Sequence, residues 1–158
     1  MKLSVRKGFS FGLTSAIITT LGLIVGLYSG TNSRIVVIGG ILVIAIADAL
    51  SDSLGMHISE EAENKHTARE VWESTFSTFL SKFFFAFTFV VPVLLLELWT
   101  AVIASIIWGM LLLSVLSFRI ARAGKNKPWR VISEHLAVAL LVIVVTYFTG
   151  EFVASLFV

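Results

Sequence analysis

The chain has 158 residues, 57% of them hydrophobic and only 14% charged, a balance that a soluble domain of this length cannot spread over its surface. A net charge of +2 gives no argument for a nucleic-acid partner, and the lack of cysteine removes disulfides, thiolate metal sites and cysteine nucleophiles. What remains is an all-α integral membrane protein.

A helix needs about 20 apolar residues to cross the hydrocarbon core. Five segments meet that length, near 9–29, 35–58, 74–96, 99–119 and 131–157. The first follows Lys2, Arg6 and Lys7, as a signal peptide would, but its apolar run from Phe9 to Tyr28 is too long for a signal core and reads as a membrane helix. Its glycines include two pairs spaced by four, Gly8–Gly12 and Gly22–Gly26, which let another backbone approach closely, within the fold or across a dimer seam. The second segment follows SGTNSR, carries Asp48 and Asp52, and leads into a polar connector over 59–73. The third holds Lys82 and the run FFFAFTF at 83–89, which suits lipid contact and helix packing better than a ligand cage. A turn near Glu97 leads to the fourth, and RIARAGKNKPWR joins it to the fifth, which holds Glu134 and His135 near one end and Glu151 near the other. The chain therefore reads as a single transmembrane domain over 1–158, with no folded soluble domain and no internal repeat.

Basic residues orient the helices. Lys2, Arg6 and Lys7, then Lys65 and Arg69, then Arg119, Arg122, Lys125, Lys127 and Arg130 all fall on one side, against Arg34 alone on the other. The positive-inside rule puts the N-terminus in the cytoplasm and the C-terminus outside. Trp72, Trp99 and Trp129 fall near span ends, where indole rings favour the interface.

With a rise of about 1.5 Å per residue, Asp52 and Asp48 lie roughly 7 and 13 Å inside the inner boundary, on one helix face because they are four apart. The same count brings Ser15 and Thr19 of the first helix to roughly 9 and 15 Å, with Thr20 beside them, and Lys82 to roughly 12 Å. Acids at such depth need a proton, a cation, water or a basic partner. Lys82 either pairs with them, locking two helices together, or snorkels to the interface. Toward the cytoplasm Met56, His57, Glu60 and Glu61 form an expected metal-collecting mouth. Glu63, His66 and Glu70 share a face if the helix continues outward. A solvated connector with pairs such as Glu61–Lys65 is the plainer alternative.

These residues carry a resemblance to the vacuolar iron transporter family. GLTSAIITTLGLIVGL (12–27) resembles the family's first helix. IADALSDSLGMHIS (46–59) resembles the second in Ser51, Leu54, Gly55 and Ser59; FLSKFFFAFTFVVPVLLL (79–96) with Pro92 resembles the third, and AVALLVIVVTYFTGEFVA (137–154) the fifth. The resemblance implies a homodimer with helix one near the two-fold axis, a path between subunits, and proton-coupled export of iron(II) or manganese from the cytoplasm. It also implies the cell membrane as location in a prokaryote, the vacuolar membrane in eukaryotic relatives. The chain is similar to small members without the cytoplasmic metal-binding domain. It departs from the family with Ser15 where an aspartate is usual, Asp52 in place of a methionine and Met56 in place of a glutamate. An oxygen ligand replacing sulfur favours harder cations.

The expected function is divalent-cation transport with no enzymatic activity and no permanently bound cofactor. Asp48, Asp52, Met56, His57, Glu60 and Glu61 would contact the metal. Ser15 and Thr19 would supply oxygens along the path, and Lys82 would compensate charge in the empty site. The partners expected are membrane lipid, a divalent cation, protons and a second copy. A non-transporting scaffold or partner subunit, kept together by an Asp–Lys pair, is the alternative.

Overall fold

The structure, a computed structural model, describes residues 2–157. Its elements are all helical: α1 (Leu3–Thr31), α2 (Arg34–Ala62), α3 (Ala68–Thr88), α4 (Val90–Leu95), α5 (Leu98–Ala123) and α6 (Pro128–Phe157). Five spans are long and apolar enough to cross a membrane, α3 and α4 together making one of them. This is the build of a multi-pass membrane protein.

Two features differ from the sequence expectation. Helix three is kinked rather than continuous, because Pro92 lacks an N–H and its ring crowds the carbonyl four residues earlier, at Thr88, where α3 ends. The connector is also much shorter than 59–73, since α2 runs on to Ala62. Asn64, in the left-handed region at φ 51°, then turns the chain. Thr67 caps α3 through a reciprocal pair: the Glu70 N–H donates to Thr67 Oγ1 at 3.3 Å, and the Thr67 N–H donates to Glu70 Oε2 at 2.9 Å. The helical face expected through Glu63, His66 and Glu70 is therefore broken between Glu63 and Thr67.

α1 is the central helix and packs on α2, α3, α5 and α6. In its most apolar stretch 50% of residues are buried, against 11% in α6, so α6 is the peripheral element. The glycines explain this placement. Gly8 and Gly12 lie against Ser74, Thr78 and Ser81 of α3, while Gly22, Gly26 and Gly30 lie against Val142, Thr146 and Gly150 of α6. Lipid tails are as apolar as leucine, so close backbone approach and interhelical hydrogen bonds replace the hydrophobic drive of a soluble core. Ser77 Oγ donates to the Val5 carbonyl at 2.8 Å, and Ser29 Oγ donates to the Tyr147 carbonyl at 2.9 Å. Both glycine pairs thus have close neighbours within the chain.

The apolar core is built from Ile17, Leu21 and Ile24 of α1 with Ile41, Phe89, Val93 and Leu113. Within the phenylalanine run, Phe89 is buried, Phe85 meets Phe9 edge-on at 6.1 Å, and Phe84 is exposed. The run is thus divided between packed and exposed rings. Trp72, Trp99 and Trp129 are exposed at helix ends.

Candidate functional site

Where α1, α2 and α3 meet, Lys82 is only 1% exposed. An ammonium has three N–H donors and no acceptor. Three oxygens surround this one: Asp48 Oδ2 at 2.5 Å, Ser15 Oγ at 2.7 Å, and Asp52 Oδ2 in direct contact. Ser15 Oγ in turn donates to Asp52 Oδ2 at 2.5 Å. α2 supplies both acids from one face because they are four residues apart, and α1 approaches closely enough for Ser15 because its neighbouring contact with α3 is glycine. Lys82 pairs rather than snorkels.

The aspartates are less enclosed than the lysine. Their side chains are 27% and 22% exposed. Beginning one residue before each aspartate, α2 carries a stripe of small exposed residues at four-residue spacing, Ala47, Ser51, Gly55 and Ser59. Open space lies beside Gly55, where an added Cβ would touch nothing.

The other expected path residues are divided. Thr19 Oγ1 donates to the Ser15 carbonyl at 2.8 Å, and the fully buried Thr20 hydroxyl has no hydrogen-bond partner among the described residues. Met56, one turn beyond Asp52, is buried. His57 turns toward α3, with Nδ1 at 3.0 Å from Thr75 Oγ1 and its ring edge-on to Trp72 at 4.6 Å. His57 and Glu61 line one cavity of about 260 Å³, whereas Glu60 lines another of about 640 Å³ with Glu63, His66 and Glu70. His66 lines both, so the expected mouth is two adjoining cavities, with residues 57 and 61 on one helix face and 56, 60 and 63 on another.

The larger cavity is also not an acidic funnel. Arg6, Lys7 and Arg119 line it opposite the three glutamates. Glu60, 1% exposed, contacts Lys7 directly, and His66 Nε2 lies 3.3 Å from Glu60 Oε2 and 3.5 Å from Glu63 Oε2. The Lys7 charge, followed by its hydrogen bond, holds the Glu63 carboxyl below the usual carboxylate range. Glu63's contribution is then present above the ordinary carboxylate range and is lost as pH falls through the lowered value. Lys7 was not among the expected site residues. Its only sequence signal is a basic residue two positions before the first apolar run, which serves equally as a topology marker. Glu134, expected at the interface, is exposed and bonded to Arg130, and Glu151 is exposed.

Among the described residues, no three His, Asp or Glu side chains are arranged to hold a metal by themselves. The fold and this cluster define a multi-pass helical membrane protein with a carboxylate–ammonium centre inside its spans. No family model matches the chain, and no curated protein matches it.

Proposed function

We propose that the chain transports a hard divalent cation of the iron(II) or manganese kind out of the cytoplasm, in exchange for protons, with the basic end of the bundle cytoplasmic. Asp48 and Asp52 bind the ion, Ser15 adds an oxygen, and Lys82 fills the empty site. One observation carries this reading: two carboxylates share one ammonium. A structural lock needs one acid. The second leaves an uncompensated negative charge within the membrane spans, where ionised groups are expensive and mark ion pathways. A divalent ion between the aspartates balances both, and its repulsion with the ammonium moves Lys82 away. Protons compete for the same oxygens, which is the basis for the proposed exchange. Oxygen ligands select hard cations.

The test is manganese flux into proteoliposomes under a pH gradient. Asp48→Asn and Asp52→Asn are each expected to lower the rate at least tenfold, and flux equal to wild type in both would discard the site. The second reading, a non-transporting scaffold, is favoured by the fact that Lys82 already donates to Ser15 and Asp52 and lies in ion-pair contact with Asp48. It predicts no flux in the wild type.

The second copy belongs, in this proposal, on α2 rather than on α1. α1 is enclosed by its own chain, whereas α2 presents two partly exposed aspartates beside a small-residue stripe. A second copy there shields the carboxylates from lipid and permits close helix approach. The chain has no native cysteine, so single cysteines report cleanly. Gly55→Cys is expected to form a disulfide-linked dimer in membranes and Val144→Cys, on exposed α6, is not. The reverse pattern would move the interface to α6.

A further inference from the structure

The α1–α3 seam holds an outward-facing groove of about 630 Å³ at the basic end of the bundle, remote in role from the aspartate cluster. Phe9, Trp72, Phe76, Leu80, Phe84 and Phe85 form its wall. Trp72 and Phe76 stack obliquely at 5.4 Å, and Phe9 meets Phe85 at 6.1 Å, so neighbouring rings make the wall a largely aromatic surface. Its volume falls within the usual range of small-molecule pockets, about 300–1,000 Å³.

The charge at its mouth is unbalanced. Glu73 is the common acceptor for Lys2 at 2.6 Å, Ser4 at 3.0 Å and Arg69 Nε at 3.0 Å. Two cations on one carboxylate leave one positive charge over. Arg69 is 81% exposed, and among the described residues its terminal nitrogens have no protein acceptor. From Arg69 to Phe84 the helix rises about 22 Å. One leaflet of hydrocarbon and its headgroup layer measure about 20–22 Å together.

We propose that this groove is a binding site for an anionic phospholipid. Its phosphate rests against Arg69 and Lys2, and one acyl chain lies along Phe76, Leu80 and Phe84. The surplus charge selects the headgroup: a phosphatidylglycerol phosphate neutralises it, whereas a choline headgroup brings its own cation to the same place. A basic residue near a membrane surface favours an anionic lipid roughly fivefold.

Native mass spectrometry of the detergent-purified protein, titrated with phosphatidylglycerol and separately with phosphatidylcholine, tests this. One phosphatidylglycerol per chain is expected to bind at least fivefold more tightly than phosphatidylcholine. Arg69→Gln should remove that preference, and Leu80→Trp should fill the groove and weaken both lipids; both positions are exposed, so the fold is retained. Arg122→Gln with Lys125→Gln, on the other basic connector, should keep the preference. Equal affinity for the two lipids in wild type overturns the proposal. So does a preference that survives Arg69→Gln or is lost in the Arg122/Lys125 control.

Discussion

Replacing Lys82 by methionine is expected to destabilise the protein by about 3–5 kcal/mol, the usual cost of removing one partner from a buried ion pair. The change leaves two carboxylates facing each other within the bundle, with Ser15 as the remaining close donor. The loss should appear as a lowered unfolding temperature in detergent. Adding Asp48→Asn and Asp52→Asn to Lys82→Met should recover most of it, because the uncompensated charges then disappear with the ammonium. The same variant separates the two functional readings. If Lys82 is the resident cation of a metal site, manganese binds Lys82→Met more tightly than wild type and restores its stability in proportion to the logarithm of metal concentration. If the lysine is only a lock, manganese leaves the variant's unfolding temperature unchanged.

Gly12→Leu is expected to be comparably severe, and for a different reason. A Cβ at Gly12 meets Ser81 Oγ and lies 2.5 Å from the Thr78 carbonyl oxygen, which is backbone and cannot rotate away. Overpacking in a well-filled interior costs about 1–3 kcal/mol, and more where backbone must move. Gly12 lies one turn before Ser15, so separating α1 from α3 also draws the Ser15 hydroxyl from Lys82. Under the proposed transport function, loss of cation binding should therefore accompany the loss of stability. Gly39→Leu is the control: its Cβ meets nothing within 4 Å, and the change should stay within about 1 kcal/mol of wild type. Equal effects at Gly12 and Gly39 would mean that α1 and α3 are not closely packed.

Much of the architecture was legible from residues in order. Apolar run length determined five spans, because crossing hydrocarbon requires every backbone group to bond within its own helix. The level of Asp48, Asp52, Ser15 and Lys82 also followed from counting, since the helical rise is nearly constant and their helices share the basic end. What counting cannot supply is azimuth. It left Lys82 free to pair or to snorkel, and it grouped His57 and Glu61 with Glu60 as one mouth. A turn of about 100° per residue sends them instead to two adjoining cavities that meet at His66. Lys7 went unrecognised as the partner of buried Glu60 because 53 positions separate them and neither helix alone brings them together.

By itself, then, the sequence determined the membrane class, the number of apolar spans and the order of the charges along them, all of which depend on hydropathy and rise along one axis. Tertiary structure alone decided that α1 is central, that its glycines serve α3 and α6, and that Pro92 divides the third span. It also decided that one ammonium is shared by two partly exposed carboxylates of α2. The reason is physical: which face of a membrane helix turns inward is settled by close fit and hydrogen bonding with its neighbours, and hydropathy is blind to both.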